Sequence, residues 1–184
     1  MNRFGSKKGF SLLELVLVLG VIVSLVAAAF ILFPKVRSMQ RVEAGVKTLS
    51  LIKHVIDTNS SVSKDLTWLT TQNIIKMQVI PKEVVEGNKI INPWGGEINV
   101  TTMGGSSQYY LIEYTHIPIE GCVNFLSLIA KSEYNFSQVR GKGLNINFMG
   151  ERNLSVISTF CLSPINVDAS NKTVSFSFSD FGNW

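Results

Sequence analysis

The feature that most constrains this chain is a long uncharged apolar run near its N-terminus. Leu15–Phe33 spans 19 residues without a formally charged side chain. As an α-helix, at about 1.5 Å per residue, this run is roughly 28 Å long, close to the ~30 Å hydrocarbon core of a bilayer. No second apolar run of this length follows it. The sequence therefore predicts one membrane-spanning helix, with the rest of the chain outside the membrane.

Charge is distributed unevenly along the chain. Among its 184 residues, 17 Lys and Arg stand against 13 Asp and Glu, which gives a net charge of +4. Arg3, Lys7 and Lys8 precede the apolar run, and without them 14 basic side chains face 13 acidic ones. This near balance removes the basis for a nucleic-acid-binding surface. The basic N-terminus indicates, by the positive-inside rule, that the short segment before the helix stays in the cytoplasm.

The apolar run alone is compatible with a secretory signal peptide or with a plain membrane anchor. Ala27–Ala29 could serve as the small-residue cleavage site of a signal peptide. Neither interpretation explains Glu14, which lies at the front edge of the run. A carboxylate in hydrocarbon costs about 2.5–3.5 kcal/mol, so it requires a partner unless it lies at the level of the lipid headgroups.

The residues around Glu14 resemble a known processing site. The string Lys7–Glu14, KKGFSLLE, stands directly before the membrane-length apolar run. In this the chain resembles the type IV pilins and their relatives, the pseudopilins of type II secretion systems. The resemblance implies a leader peptide Met1–Gly9, cleavage by prepilin peptidase on the cytoplasmic side, and a mature N-terminus at Phe10 that is N-methylated. It also implies that Glu14 guides each subunit onto a growing filament.

The chemistry of these residues agrees with that role. Gly9 carries no side chain, which gives a peptidase close access to the scissile peptide. Cleavage creates an α-amino group on Phe10 that is cationic near neutral pH. Glu14 and the α-ammonium group of an incoming subunit can then neutralise each other in an apolar setting. Because a buried unpaired charge is strongly unfavourable, we expect this pairing to select the axial register of the subunits.

Apolar residues continue beyond the uncharged run at helical spacing, from Val36 to Ile56. They predict one long helix from about Ser11 to Ile56, with a bend at Pro34 because proline removes a backbone donor. The predicted organisation is a leader at residues 1–9, a transmembrane and filament-core segment at 10–34, an amphipathic half of the same helix at 35–56, and a globular α+β head at 57–184.

The head is predicted as an antiparallel sheet covered by the amphipathic half of the long helix. Asp57–Ser61 is polar and indicates a linker, and Leu66–Met77 indicates a second helix capped by Asp65 or Ser63. Cys122–Lys131 indicates a third helix. The strand candidates are Glu97–Thr102, Tyr109–His116, Leu144–Met149, Leu154–Phe160 and Thr173–Ser179.

Cys122 and Cys161 are the two cysteines of the chain. They lie in the part that the topology places outside the cytoplasm, where a disulfide is favoured over two free thiols. Such a bridge would join the Cys122 helix to the strand that ends at Phe160. The resemblance to type IV pilins implies the same bridge, and it favours a pilin over a pseudopilin, since most pseudopilins lack it.

A finer resemblance lies in the head. The run Asn92–Gly96, then Tyr109–Tyr114, then Ile117-Pro118 before Cys122, is similar to the type IVb pilins of conjugative thin pili and of enteric pathogens. The short leader and Phe10 depart from that subgroup, whose members usually have longer leaders and a different first residue.

Enzymatic motifs are missing from the sequence. GxSxG, HExxH and CxxC do not occur, and His54 and His116 stand alone. A metal site built from His116, Cys122 and Cys161 would need reduced thiols and a fourth ligand. We therefore expect no enzyme, no cofactor and no metal.

The function implied by the resemblance is that of the major structural subunit of a type IV pilus. The expected partners are other copies of the chain, prepilin peptidase, the inner-membrane assembly machinery, and a host or recipient cell surface. The subunit is expected in the inner membrane before assembly and in an extracellular filament afterwards. The alternatives are a minor pilin or a type II secretion pseudopilin and, from another class, a secreted enzyme whose signal peptide is removed before Phe30.

Overall fold

A computed structural model describes residues 11–63, 65–103, 108–132, 136–148, 150 and 153–181. The chain divides into two compact units, an N-terminal unit of residues 1–38 and a C-terminal unit of residues 39–184. The predicted leader residues Arg3, Lys7, Lys8 and Gly9, and the predicted first mature residue Phe10, lie outside the described residues.

The first element is the long helix α1, Leu12–Ser63, which contains Pro34. It starts within one residue of the predicted beginning but continues seven residues beyond Ile56. The prediction of a linker at Asp57–Ser61 is therefore wrong, because these residues are helical. Their side chains bond within the helix: Thr58 Oγ1 donates to the carbonyl of His54 at 2.8 Å, and Ser61 Oγ donates to that of Thr58 at 2.8 Å. Local bonding of this kind accommodates polar residues in a helical turn.

The C-terminal unit is built on an antiparallel sheet, and the unit has the predicted α+β class. The strands of the described residues are β1 (Val85–Glu86), β2 (Lys89–Ile91), β3 (Glu97–Thr102), β4 (Tyr109–Pro118), β5 (Gln138–Arg140), β6 (Asn145–Asn147), β7 (Val167–Asp168) and β8 (Thr173–Phe181). Their spatial order in the sheet is β1-β2-β3-β4-β8-β5-β6, and β7 pairs with β8. The predicted strand at Glu97–Thr102 is confirmed, and those beginning at Tyr109 and Thr173 each run two residues further. The one predicted at Leu144–Met149 is reduced to β6.

Three shorter α-helices accompany the sheet: α2 (Thr71–Lys76), α3 (Ile119–Lys131) and α4 (Leu154–Leu162), with a 3-10 turn at Lys82–Val84. α2 is shorter than predicted and begins elsewhere, because Thr70 is its N-cap and accepts from the backbone N–H of Asn73. Asp65 instead accepts from the backbone N–H of Thr67 in the preceding turn.

The segment Leu154–Phe160 is a helix, so its prediction as a strand is wrong. Asn153 caps α4 by accepting from the backbone N–H of Val156 at 2.9 Å. Ile157, Phe160 and Cys161 are buried on α4, at spacings that place them on one helical face.

The core of the C-terminal unit lies between the sheet and the helices. From α1 it takes Val42, Leu49, Ile52 and Ile56, which confirms that this part of the helix is amphipathic. At the centre is an aromatic cluster in which Tyr114 and Phe125 have ring centroids 5.1 Å apart, and Phe136 and Phe178 have centroids 4.7 Å apart. Val174, Phe176 and Phe178 alternate along β8 and are all buried, as its period-two pattern predicts.

Candidate assembly surface

The N-terminal unit carries a continuous apolar surface. From Leu12 to Phe33, the large apolar side chains that the structure describes are between 46% and 80% exposed. No charged residue interrupts the sequence between Glu14 and Lys35. Contiguous apolar surface of this extent is unfavourable in water, so it requires lipid or protein around it. Within the described residues, one helix is long and apolar enough to cross a membrane, and this surface belongs to it.

Glu14 lies at the N-terminal end of this surface. It is exposed and occupies the first turn of α1, where its backbone N–H bonds to the carbonyl of Ser11 at 3.0 Å. The first turn of a helix has unsatisfied N–H groups and a positive dipole end, both of which favour a carboxylate. The helix therefore presents the Glu14 side chain at the N-terminal edge of the apolar surface.

Pro34 and two small residues interrupt the regular surface of the N-terminal unit. A Cβ added at Gly20 would meet nothing within 4 Å, so in the monomer the glycine leaves open space beside the helix. Ser24 Oγ bonds to the carbonyl of Val21 at 2.8 Å, which satisfies its polar group within the helix. Pro34 lies inside α1 and lacks the N–H that would bond to the carbonyl of Phe30. A bend at Pro34 stays a prediction.

The two cysteines form a disulfide in the C-terminal unit. Cys122 on α3 and Cys161 on α4 are both fully buried, with their Cα atoms 6.0 Å apart. The bridge therefore joins two helices, and the prediction that it joins a helix to a strand is wrong because Leu154–Phe160 is helical. It fixes α3 and α4 as one block within the unit.

The motif Asn92–Gly96 forms a tight turn held by one buried side chain. Asn92 Oδ1 accepts from the backbone N–H groups of Trp94 at 3.0 Å and Gly96 at 3.1 Å, while Nδ2 donates to the carbonyl of Thr115 at 2.7 Å. A Cβ at Gly96 would lie 1.9 Å from that carbonyl oxygen, so only glycine fits there. The turn is therefore bonded directly to β4.

Trp94 in this turn packs against two glycines on different helices. A Cβ at Gly45 of α1 would lie 3.2 Å from the indole ring, and one at Gly121 of α3 would lie 2.8 Å from its Nε1. Tyr114 Oη, on β4, donates to the carbonyl of Gly45 at 3.2 Å. Burial raises the pKa of Tyr114 far above its ordinary value, which keeps this donor protonated. These contacts bind α1 of the C-terminal unit to the sheet.

A buried group of charged side chains lies further along α1, and sequence reasoning missed it. Lys53 of α1 is buried, although lysine side chains are usually exposed. Its Nζ lies 3.2 Å from Oδ2 of Asp180 on β8, 3.4 Å from Oδ1 of Asp57, and 3.1 Å from the hydroxyl of Tyr110. The available signal was the spacing of Lys53 and Asp57, which is that of an i,i+4 ion pair.

The buried group also affects Tyr110. Burial raises the pKa of Tyr110 well above its ordinary value, and the negative charges of Asp180 and Asp57 raise it further. Tyr110 therefore remains protonated as a hydrogen-bonding partner of Lys53.

The two histidines lie apart. His54 is exposed on α1, and His116 is exposed in an irregular stretch of β4 with φ of 56°. Among the described residues, no group of three His, Cys, Asp or Glu side chains could hold a metal ion.

Comparison with known proteins assigns the chain to a family. The family model described as "PilS N terminal" matches residues 39–179. A solved structure described as a type IVb pilin from Salmonella typhi is 18% identical to this chain, covers 61% of this chain and 78% of its own, and has a TM-score of 0.46. No curated protein matches the chain significantly. Because the family model matches more than half of the chain, the chain belongs to the PilS family.

Proposed function

We propose that this protein is the structural subunit of a type IV pilus and that it polymerises through its N-terminal helix into an extracellular filament. Before assembly, the apolar surface of the N-terminal unit lies in the inner membrane. During assembly the same surface exchanges lipid for the helices of other subunits. Because neither environment requires the surface to face water, one helix serves in both states.

The observation that carries this proposal is the exposed apolar surface from Leu12 to Phe33, with Glu14 at its edge. Ordinary anchoring in a membrane would explain the apolar residues, but it would not require an acid in the first helical turn. In a filament, the carboxylate of Glu14 neutralises the α-ammonium group of a neighbouring subunit. Any axial register of the subunits that buries one of these charges without the other is therefore unfavourable.

Processing precedes assembly in this scheme. Prepilin peptidase cuts after Gly9, and the basic residues Arg3, Lys7 and Lys8 hold the leader at the cytoplasmic face until then. Cleavage supplies the α-amino group of Phe10, which is then N-methylated. The α-ammonium group that pairs with Glu14 therefore exists only on processed subunits.

N-terminal sequencing of the mature subunit tests the processing step. Filaments are sheared from cells, the subunit is isolated, and its first residue is determined. We expect N-methylated Phe10. A first residue of Phe30 would indicate a conventional signal peptide, and an uncleaved Met1 would indicate a permanent anchor; either result overturns the proposal.

A minor pilin or a type II secretion pseudopilin would share the helix and the processing site, so abundance has to distinguish them. The disulfide between Cys122 and Cys161 favours a pilin, because most pseudopilins lack such a bridge. Quantitative mass spectrometry of purified filaments decides the question. A major subunit dominates the protein mass of the filament, whereas a minor component is present in few copies.

The filament, once formed, is proposed to act in adhesion and in cell–cell contact, including contact with recipient cells in conjugation. Deletion of the coding sequence should remove filaments and lower attachment and mating frequency together, and complementation should restore all three. Retention of wild-type attachment and mating without filaments would remove this part of the proposal while leaving filament formation intact.

A further inference from the structure

The buried charged group of the C-terminal unit contains the chemical groups that are needed to form an amide bond between side chains. It holds one primary amine, Lys53, and two carboxyl groups, Asp57 and Asp180, with the amine 3.2 Å from Asp180 and 3.4 Å from Asp57. The side chains of Lys53 and Asp180 are only 9% and 11% exposed, whereas that of Asp57 is 29% exposed. The amine, a potential nucleophile, thus lies within 3.4 Å of two carboxyl groups, one of which can act as the electrophile and the other as a proton-transfer group.

The surroundings exclude water from the amine. Nζ of Lys53 lies 5.1 Å from the ring centroid of Phe136 and 5.8 Å from that of Tyr110, and both of these aromatic residues are fully buried. Charges in such a setting are costly to desolvate, and the conversion of one cation and one anion into a neutral amide removes that cost. Low access to water also protects the product from hydrolysis.

The carboxyl group of Asp180 is held in position from its other side. Ser137 Oγ donates to Asp180 Oδ1 at 2.8 Å, while Oδ2 faces Lys53. Because both oxygens are fixed, the carboxyl carbon is held close to the amine. Prepositioned reactants of this kind react much faster than free ones.

We propose that Lys53 and Asp180 form an intramolecular isopeptide bond. One proton passes from the Lys53 ammonium to the Asp180 carboxylate, which leaves a neutral amine and a carboxylic acid. The nitrogen lone pair attacks Cγ of Asp180 and a C–N bond forms. Asp57 takes a proton from the nitrogen and delivers it to the departing hydroxyl, so that a C–O bond breaks and one water molecule leaves. Asp57 ends as it began, and no oxidant or reductant is needed.

Asp180 is the acceptor in this proposal and Asp57 the proton-transfer group. Asp180 is closer to the amine and more deeply buried, and Ser137 orients it. The bond would join α1 to β8, between residues 127 positions apart in the chain. The disulfide between Cys122 and Cys161 lies between these two positions in the chain. With the isopeptide bond, the C-terminal unit would keep a covalent link between α1 and β8 even after the disulfide is reduced.

Peptide mapping of the full chain tests the proposal. The subunit is extracted from membranes in detergent, denatured, reduced, alkylated and digested with trypsin. We expect the peptides 48–64 and 173–184 to be recovered as one cross-linked species, lighter than their sum by one water, with no cleavage after Lys53. Recovery of free 173–184 in full yield, with cleavage after Lys53, would overturn the proposal. Loss of water within 48–64 alone would assign the bond to Asp57 and would also overturn it.

Two variants and one control sharpen the assignment. Lys53→Arg retains a cation but provides no primary amine, so the cross-linked species should be absent. Asp57→Asn should slow formation of the bond on the order of 100-fold, the usual effect of losing a proton-transfer group. Lys131→Arg, on the exposed end of α3, should leave the cross-link unchanged. If Lys53→Arg or Asp57→Asn fails to fold, the wild-type peptide map still decides the proposal.

Discussion

The two units of this protein differ in the exposure of their large apolar side chains. In the N-terminal unit the large apolar side chains from Leu12 to Phe33 are exposed. In the C-terminal unit, side chains of the same kind, such as Leu49 and Ile52 on the same helix, are fully buried. The residue types are alike, so the difference lies in what the chain itself supplies to cover them.

This difference separates what the chain can complete alone from what it cannot. The C-terminal unit covers the apolar face of its part of α1 with its own core residues, and a disulfide joins α3 to α4 within the same unit. The N-terminal unit has no covering element among the residues described. Its apolar surface therefore requires lipid or other protein around it, and the two units should respond differently to substitution.

The largest expected effect comes from Glu14→Ala. The variant should still be processed and inserted, because the apolar run is intact, but filaments should be lost or greatly reduced in electron micrographs of the cells. Glu43→Ala provides the matched control, since Glu43 is an exposed acid on α1 in the C-terminal unit. Wild-type filament yield from Glu14→Ala would contradict the role of this acid.

The second effect concerns the closed core. Phe178→Ala removes a fully buried ring that packs against Phe136, and large-to-small changes of this kind cost about 3–5 kcal/mol. Urea unfolding of the full chain in detergent should show a loss of this size. Leu154→Ala, at an exposed position of α4, should change stability by less than about 0.5 kcal/mol. Equal effects of the two substitutions would break the distinction between covered and uncovered apolar residues.

Replacement of both cysteines by serine tests the contribution of the disulfide. The bridge closes a loop with a sequence separation of 39, which corresponds to about 4 kcal/mol on the chain-entropy model. We expect a loss of up to about this size in the C-terminal unit, measured by chemical unfolding, and no change in membrane insertion. Failure of insertion in the double variant would show that the two units are not independent in this respect.

A smaller effect is expected at alkaline pH. The pKa of Tyr114 is raised by burial, so the folded chain keeps the phenol proton above about pH 10 while the unfolded chain loses it. The protonated phenol of Tyr114 therefore contributes its full stabilisation below about pH 10. Above that pH, the free energy of unfolding falls by about 1.4 kcal/mol for each pH unit.

Tyr114→Phe isolates that contribution. It should cost about 1 kcal/mol near neutral pH, because the hydrogen bond to Gly45 is lost, and it should make the alkaline decline less steep. The measurement is urea unfolding at a series of pH values up to about 11. An unchanged alkaline slope would contradict the assignment to Tyr114.

Periodicity predicted the parts of the fold that depend on local pattern. The long helix, β3 and β8 have strong periods of 3.6 or 2, and the structure contains them. The prediction of a strand at Leu154–Phe160 was wrong because a short apolar run is compatible with a strand or a helix. The sequence signal for a helix was Asn153, which caps it. Four of the two- and three-residue strands, β1, β2, β5 and β7, were not predicted, because such short strands depend on their pairing partners rather than on their own residues.

The features that hold the C-terminal unit together were less predictable. The pairing of Cys122 with Cys161 followed from there being two cysteines, but the partnership of Lys53 with Asp180 joins residues 127 positions apart. Similarly, Trp94 packs on Gly45 and Gly121 only because the fold brings three distant segments together. No local pattern encodes such contacts.

The most direct test of the account is photocross-linking of the exposed apolar surface. A photoreactive residue is placed at Val23, which is 66% exposed, and the sample is irradiated in the membrane and after filaments are sheared from the cells. We predict cross-links to lipid in the membrane fraction and to a second copy of the chain in the filament fraction. If position 23 forms no cross-link to another copy in filaments, this result would contradict the claim that the helix exchanges lipid for the helices of other subunits.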